Sequence, residues 1–235
     1  MMIRWNVKWH AKSAKPFCAP QSWQQLPQGK AYCSALEVAL APWLAKIGGY
    51  QILKLGALST EVTTNLPMRH QILLSEKTLP NSTALTPNDS FVQAELTALP
   101  FIQQEINAVF LTNCLNFTQD PHQILREVHR VLADDGWLFL SLFNPLSLLI
   151  CKNKLGEFPF RRYSTWRIID WLELLNFEIL ERQNLSITGR RAHLFSPLIL
   201  IVAQKRTYPL TFNTEKERTT MPIFLQPTEA FKANA

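Results

Sequence analysis

Residues 106–145 read INAVFLTNCLNFTQDPHQILREVHRVLADDGWLFLSLFNP, and this stretch decides the fold. The apolar segment at residues 108–111 predicts a strand, and a polar loop separates it from Asp120-Pro121. Asp120 can cap a helix with its side chain, and Pro121 suits the first helical position. The helix that follows carries its apolar residues on one face, at the spacing of a buried helix: Ile124, Leu125, Val128, Val131 and Leu132.

A second strand follows this helix. Asp134-Asp135-Gly136 has turn chemistry and predicts the end of the helix. Residues 137–143 are an almost unbroken apolar run, which is typical of a strand covered by helices on both faces. Asn144-Pro145 ends the run, because proline cannot donate a hydrogen bond to a sheet. The stretch therefore predicts a strand–helix–strand unit.

The same alternation extends through the rest of the chain. Apolar runs predict five further strands, at residues 50–55, 71–74, 91–94, 177–186 and 197–203. Helical spacing predicts three further helices, at residues 28–46, 58–66 and 165–175. Strands that alternate with helices indicate a doubly wound α/β domain with a mostly parallel, seven-stranded sheet. Only a loop joins the last two strands, which predicts an antiparallel edge.

Length and composition indicate one folded domain. The chain has 235 residues, of which 47% are hydrophobic and 18% charged, as in ordinary globular proteins. We expect a flexible basic arm at residues 1–26, a domain at residues 27–206 with a lid or insert at 146–164, and a flexible tail at 207–235. No apolar run is long enough to span a bilayer, and residues 1–20 lack the apolar region of a secretory signal.

Charge and cysteine usage narrow the partners and the compartment. Residues 1–30 carry five Lys/Arg and no carboxylate, which holds most of the net charge of +6. This arm permits contact with nucleic acid or an anionic membrane, but a frayed terminus with scattered lysines is the interpretation we favour. The four cysteines are far apart, which disfavours a metal site and a disulfide framework and predicts a cytoplasmic protein.

The predicted sheet also predicts where a ligand binds. In doubly wound sheets, ligands bind beyond the carboxyl ends of the strands, near the first strand. This rule places Gly56, Glu76, Glu95 and Thr112-Asn113 around one crevice. The rule does not identify the ligand.

Four segments resemble the class I S-adenosylmethionine-dependent methyltransferases, and within them the type 11 branch. In that branch an acidic residue and Leu-Pro-Phe precede a strand, a D-P-x-x-x-L-R-E-x-x-R-V-L helix, a turn and another strand. The corresponding segments here are residues 95–101, 106–113, 120–132 and 135–140. The resemblance covers residues 26–206 and implies a Rossmann-like fold. It also implies S-adenosyl-L-methionine as cofactor, S-adenosyl-L-homocysteine as product, and a methyl acceptor that is a small molecule or unknown.

The resemblance also implies which residues hold the cofactor. The glycine-rich first motif of the family falls on residues 53–59, and Glu76 takes the place of the acid that binds the ribose hydroxyls. A carboxylate about 20 residues beyond the turn glycine is where a ribose diol is usually held. Glu95 takes the place of the acid near the adenine amino group. The full set implied by the resemblance is Leu55, Gly56, Ala57, Glu76, Glu95, Leu96, Thr112 and Asn113.

The first motif departs from the family pattern. The family has two or three glycines preceded by an acid, whereas this chain reads Lys54-Leu55-Gly56-Ala57-Leu58. Leu58 puts a side chain where close approach of a ligand calls for none. Three alternatives remain open: the cofactor binds in a shifted way, its affinity is weak, or the site is vestigial.

The catalytic and substrate-side residues are less defined. No Asx-Pro-Pro-aromatic sequence follows the fourth strand, which disfavours the nucleic-acid amino-methylating enzymes. Methyl transfer can proceed by alignment alone, and His122 and His129 are candidate bases. Arg161, Arg162 and Tyr163 could hold an anionic acceptor, and Asn144 is a candidate substrate contact.

Other classes of protein fit less well. Nicotinamide-dependent oxidoreductases and serine hydrolases would need Gly-x-Gly-x-x-Gly and Gly-x-Ser-x-Gly, and neither motif occurs. The remaining alternative is a catalytically inactive, methyltransferase-like binding or interaction protein. The altered first motif favours that alternative, whereas the carboxylates at the strand ends favour an enzyme.

Overall fold

A computed structural model describes residues 17–66, 68–78, 86–147, 154–187 and 192–207. The strands are β1 Gln51–Leu55, β2 His70–Ser75, β3 Asp89–Gln93, β4 Ile106–Thr112, β5 Leu132–Phe143, β6 Lys154–Leu155, β7 Phe158–Pro159, β8 Phe177–Leu185 and β9 Leu198–Lys205. The α-helices are α1 Gly29–Leu44, α2 Ala57–Thr60, α3 Pro121–Val131 and α4 Thr165–Leu174. Short 3-10 turns lie at Trp23–Gln25 and Cys114–Phe117.

Seven of these strands form one sheet in the order β3-β2-β1-β4-β5-β9-β8, while β6 and β7 pair separately. The pairs among β3, β2, β1, β4 and β5 are parallel. Strand β9 runs antiparallel to both β5 and β8. The predicted doubly wound, mostly parallel sheet with an antiparallel edge is therefore confirmed. The antiparallel strand is β9, and β8 is the outermost strand.

The core lies on both faces of the sheet. Successive side chains of a strand point to opposite faces. Leu53 and Leu55 accordingly pack on the face that α3 and α4 cover, and Ile52 packs on the face that carries α1. The apolar run of β5 is divided in the same way between the two faces, which confirms that it is a strand covered on both sides.

Helix α3 begins as the sequence predicts. The Asp120 carboxylate accepts a hydrogen bond of 3.2 Å from the Gln123 backbone N–H, and Pro121 occupies the first turn. The helix ends before the turn residues 134–136, as the sequence predicts, with Val131 as its last residue and Leu132 as the first residue of β5. The turn residues form an irregularity within the strand: Asp135 has φ +57°, and the β4–β5 register shifts nearby.

Helix α2 is one turn long, whereas the sequence predicts a helix at residues 58–66. Ser59 does not open it, because Gly56 holds the N-cap position and the Ser59 hydroxyl donates to the Leu55 carbonyl at 2.5 Å. Beyond the helix, Lys54 Nζ donates to the Val62 carbonyl at 2.8 Å and holds the following loop. The loop is therefore held by a buried lysine rather than by further helical turns.

The described residues include parts of the predicted arm and lid, so these parts can be compared with the predicted domain limits. Trp23 and Leu26 are buried, so packed structure includes residues that the predicted limit assigned to the arm. The β6–β7 hairpin lies inside the predicted lid, and Asn176 ends α4 with φ +58°, as the sequence predicts. Residues 1–16, 148–153 and 208–235, which hold most of the arm, part of the lid and nearly all of the tail, lie outside the described residues. No helix among the described residues has both the length and the apolarity needed to cross a membrane.

Candidate functional site

The turn from β1 into α2 is built on Gly56. This residue has φ +83° and ψ 151°, a backbone region that is open to glycine almost exclusively. Its N–H donates to the Leu74 carbonyl at 2.8 Å, which ties the turn to β2. A Cβ at this position would lie 3.1 Å from Cys114 Sγ, and apart from the two chain neighbours Cys114 is the only described residue with an atom within 4 Å of it. The turn and the end of β4 therefore face each other closely.

The surroundings of the Cys114 thiol, which faces Gly56, strongly influence its pKa. Burial raises the pKa of Cys114 to about 12, and the Glu76 carboxylate adds to the effect. Glu76 is exposed directly after β2, so its carboxylate acts on the thiol from the rim of the cleft. Because the thiol stays protonated at neutral pH, Cys114 presents a neutral, polarizable surface and not a thiolate nucleophile.

Thr112 and Asn113 are engaged inside the fold. Ser59 Oγ accepts hydrogen bonds from the Thr112 backbone N–H at 2.9 Å and from its hydroxyl at 3.0 Å. Asn113 Oδ1 accepts a hydrogen bond of 2.6 Å from the Ser141 hydroxyl. Both side chains, which the resemblance assigned to the cofactor, are fully buried and join neighbouring strand ends.

Glu95 and the apolar residues of the implied set are divided between surface and core. Glu95 is exposed, and its carboxylate accepts a hydrogen bond from the Thr97 hydroxyl. Leu55 and Leu96 are buried in the core on the α3 face, and Ala57 is half-buried. Within this set, Glu76 and Glu95 are the two groups that present charge at the strand ends.

Leu58 and Lys54, the two departures from the family pattern, point away from the cleft. Leu58 belongs to the core on the α1 face, where its carbonyl accepts a 2.8 Å hydrogen bond from the Trp23 indole. Lys54 is buried, and burial lowers its pKa to about 8. The expectation that Leu58 obstructs the approach to Gly56 is wrong, because none of its atoms lies within 4 Å of the Gly56 Cβ position.

Asn116 organises the other side of the cleft, and sequence reasoning missed it. Its Nδ2 donates to the Arg161 carbonyl at 2.7 Å, and its own carbonyl accepts the Arg161 N–H at 2.7 Å. Its Oδ1 also accepts the Phe143 N–H at 3.2 Å. One buried amide thus ties the segment before α4 to the ends of β4 and β5. A lone asparagine in a polar loop carries no sequence signal for this role.

Tyr163 follows that tie and is 6% exposed. Its hydroxyl oxygen is buried and has no hydrogen-bond partner among the described residues. Burial raises the pKa of Tyr163, with Arg161 and Arg167 opposing the shift and Cys114 contributing to it. A buried polar group without a partner costs free energy, so this hydroxyl is a cost to the fold as it stands.

The structure separates the two histidines that the sequence offers as bases. The ring centroid of His122 lies 3.8 Å from that of Trp171, and Trp171 also contacts Tyr163 edge-on at 5.7 Å. Burial lowers the pKa of His122, so its imidazole is neutral at pH 7. His129 packs against Phe177 at the start of β8, which is the end of the sheet opposite to the carboxyl ends of the parallel strands. Only His122 lies on the side of Tyr163.

The remaining substrate-side residues have different surroundings. Arg161 Nη1 donates to the Gln119 carbonyl at 3.2 Å, and its guanidinium lies 5.2 Å from the centroid of the Tyr163 ring. Arg162 is exposed. Asn144 is buried, and its amide donates to the carbonyls of Leu194 and Ser196, both at 2.7 Å. Arg161 and Tyr163 therefore lie together, whereas the Asn144 amide is used to join two loops.

Two adjacent grooves, of about 550 and 560 Å³, lie near the start of α1. One is lined in part by Lys30 and Ile187, and the other reaches Gly156 and Phe158 of the hairpin. Neither Gly56 nor Cys114 lines these grooves. Their volumes are within the range of small-molecule sites.

Comparison with known proteins gives a consistent result. A sequence family described as a methyltransferase domain matches residues 53–140. The uncharacterized protein YafS of Escherichia coli (strain K12) is 35% identical over 233 residues, covering 92% of this chain and 93% of that protein. A malonyl-acyl-carrier-protein O-methyltransferase of Acinetobacter baylyi is 29% identical over 91 residues, covering 37% of this chain and 34% of that protein.

The fold recurs in a solved structure. A Haloferax volcanii methyltransferase in complex with the Trm112 methyltransferase activator superposes with a TM-score of 0.56 at 14% identity. The match covers 76% of this chain and 96% of that one. At this identity the likeness concerns the fold alone, whereas the match to the Escherichia coli protein extends over nearly the whole sequence.

Proposed function

This chain belongs to the class I S-adenosylmethionine-dependent methyltransferase family, and we propose that it binds S-adenosylmethionine in the cleft beside Gly56 and methylates an acceptor held near Tyr163. The observation that carries the proposal is the close approach of Gly56 to Cys114. The turn keeps one glycine, and its lack of a side chain allows Cys114 to lie close to the backbone of Gly56. The two departures from the family pattern, Lys54 and Leu58, have side chains in the core of the α1 face.

The cofactor fits the residues present in part. The Gly56 turn supplies backbone at close range, and Glu76 and Glu95 supply carboxylates at two strand ends for ribose hydroxyls and an adenine amino group. Leu55, Ala57 and Leu96 provide apolar surroundings, and we assign backbone contacts to Thr112 and Asn113, since their side chains are engaged elsewhere. When bound, the cofactor supplies an electrophilic methyl group on a sulfonium centre.

We assign the acceptor to the segment that precedes α4. There Tyr163 carries a hydroxyl with no hydrogen-bond partner among the described residues, and Arg161 and Arg162 carry positive charge that suits an anionic acceptor. His122 is neutral at pH 7 and could accept a proton from an acceptor hydroxyl or amine. Asn144 contributes by fixing the loops at this edge. The transfer itself requires alignment of the acceptor with the methyl group, which positioning can supply.

We propose a small-molecule acceptor and a cytoplasmic location. The three described cysteines are free thiols, as in a reducing compartment. Nucleic acid binding through the basic arm is not favoured.

A thermal-shift and calorimetric titration tests cofactor binding. We expect S-adenosylmethionine and S-adenosylhomocysteine to raise the unfolding midpoint and to compete for one site, because a ligand of the folded state stabilises it by mass action. NAD and ATP serve as control ligands that share the adenosine group. If neither S-adenosyl ligand shifts the midpoint at millimolar concentration, the proposed function fails. The chain would then be better described by the alternative from the sequence analysis, a catalytically inactive, methyltransferase-like binding or interaction protein.

A further inference from the structure

Four large apolar side chains are exposed at the end of the sheet where the parallel strands have their carboxyl ends and the cleft opens. Leu146 is 49% exposed, Leu194 53%, Phe195 62% and Trp166 68%. Leu146 follows the carboxyl end of β5, and Leu194 and Phe195 precede β9, whose first residue pairs with the last residue of β5. Trp166 lies in the first turn of α4, three residues after Tyr163. We call these four residues the loop-tip surface.

Asn144 fixes two of the loops that carry this surface. Its Nδ2 donates to the carbonyls of Leu194 and Ser196, and its Oδ1 accepts the Leu146 N–H at 3.0 Å. The Asn144 side chain is buried, so the exposed tips stand on a fixed base. A fold that only needed to end two strands would not need to hold Leu146, Leu194 and Phe195 outward beside one another.

The loops of this surface also concentrate positive charge. The described residues of these segments, 144–147, 154–167, 186–187 and 192–197, contain one carboxylate, Glu157, and four basic residues: Lys154, Arg161, Arg162 and Arg167. Residues 31–143, 168–185 and 198–207 contain nine Lys/Arg and fourteen Asp/Glu. Lys154, Arg162 and His193 are exposed. The charge of the domain is therefore positive in the segments that bear the loop tips and negative elsewhere.

Exposed leucine and aromatic side chains among basic residues match the chemistry of a membrane surface. Apolar side chains gain free energy by entering the boundary between head groups and acyl chains, and Lys/Arg are attracted to anionic head groups. A nucleic acid would satisfy the basic residues and could stack on Phe195 and Trp166, but it would gain little from Leu146 and Leu194. The leucines decide between the two partners.

We propose that the loop-tip surface docks the protein on an anionic lipid bilayer, with the mouth of the cleft facing the head groups. The attraction is electrostatic at long range and apolar at contact. Because the cleft then opens toward the bilayer, the methyl acceptor class becomes an amphiphile presented by the membrane. That last step rests on the proposed function, whereas docking itself does not.

Vesicle flotation of the full chain, without added cofactor, tests the docking. We expect binding to vesicles of phosphatidylcholine with phosphatidylglycerol, little binding to phosphatidylcholine alone, and release by high salt. The double variant Leu194→Glu and Phe195→Glu should weaken binding about tenfold or more, since it removes apolar contact and adds negative charge. Both positions are exposed, so an unchanged thermal midpoint should accompany the loss.

Two controls make the test specific to this surface. Leu174→Glu changes a 76% exposed leucine at the other end of α4 and Ile102→Glu a 72% exposed isoleucine before β4, and both should bind like the unaltered protein. Lys154→Gln should weaken binding to anionic vesicles and leave the apolar tips intact.

Three outcomes would overturn the docking proposal. They are equal binding to neutral and anionic vesicles, undiminished binding of the double variant, or single-stranded RNA binding that displaces vesicles and is insensitive to the double variant. The second outcome would assign any membrane binding to the basic arm. Because flotation needs no cofactor, docking can fail while cofactor binding persists, and the converse also holds.

Discussion

Cys114 Sγ lies 3.1 Å from the point that a Cβ on Gly56 would occupy. The two residues are 58 positions apart in the chain, and the side-by-side pairing of β1 and β4 brings them together. This approach closes one side of the candidate cofactor site. It also explains how a first motif with one glycine can retain the turn that the family builds with two or three.

Gly56→Ala should destabilise the protein by about 1–3 kcal/mol, because its φ and ψ lie in a region that other residues enter only with strain. Urea unfolding followed by circular dichroism measures the change. Gly48→Ala is the matched control, since nothing lies within 4 Å of a Cβ there. Equal free energies of unfolding for Gly56→Ala and the unaltered protein would mean that the turn is not held as described.

Glu76→Gln should weaken binding of S-adenosylhomocysteine about tenfold and leave stability unchanged. Hydrogen bonds to charged groups contribute roughly 1.5–3 kcal/mol, and the exposed carboxylate has no packing role. Calorimetry measures the affinity. Glu173→Gln, an exposed glutamate near the end of α4, is the control and should bind normally. If both variants bind alike, Glu76 does not contact the ribose.

Tyr163→Phe should leave stability unchanged or raise it by about 1 kcal/mol, since it removes a buried hydroxyl that has no partner within the described ranges. Ser141→Ala should instead lower the free energy of unfolding by about 1–3 kcal/mol, because it leaves the buried Oδ1 of Asn113 without the hydroxyl that donates to it. Chemical denaturation of both variants measures the contrast. A Tyr163→Phe variant that is as destabilised as Ser141→Ala would show that the phenol has a structural partner.

Lys54 should make stability depend on pH. Burial lowers its pKa to about 8 from an unfolded value of 10.5, so between these values the unfolded chain binds more protons than the folded one. Stability contributed by this group therefore rises as the pH increases from 8 to 10.5, by about 3 kcal/mol in total. Lys54→Met should lack this rise.

The measurement for Lys54 is a comparison of unfolding free energies at pH 7 and pH 10.5. Burial raises the pKa values of Cys33 and Cys114, and these thiols act in the opposite direction at high pH. The Cys114 contribution is common to both proteins and cancels in the difference. Because Lys54 and Cys33 influence each other's pKa, both proteins carry Cys33→Ala for this measurement. A difference between Lys54→Met and the unaltered protein that stays constant with pH would contradict a buried, depressed lysine.

Much of the fold follows from local pattern. The apolar face of α3, its Asp120 cap and the Asn176 stop each depend on residues within a few positions, and each is found as predicted. The length of α2 does not follow in this way, because Lys54 binds the loop at Val62 in place of further helical turns. The turn residues 134–136 follow the end of α3 as predicted, but their place inside β5 depends on pairing with β4, whose register shifts between Leu132 and Trp137.

The candidate site was predictable to a smaller extent. Strand order and strand ends brought Gly56 and Glu76 to one edge, as the rule for doubly wound sheets requires. The roles of Thr112, Asn113 and Asn144 were not readable, because whether a polar side chain faces a ligand or a neighbouring strand depends on partners far away in the chain. Asn116 is the clearest case, since its partner Arg161 is 45 residues away.

By itself the sequence determined the alternation of strands and helices, the two-sided burial of the sheet and the edge at which its polar residues gather, because these depend on periodicity and turn chemistry. Only the tertiary structure decided that Leu58 turns into the core, that Cys114 faces Gly56 and that the Tyr163 hydroxyl finds no partner in the described part of the chain. Those outcomes depend on close packing between segments that are distant in sequence, and such contacts produce no periodic pattern of residues from which they could be predicted.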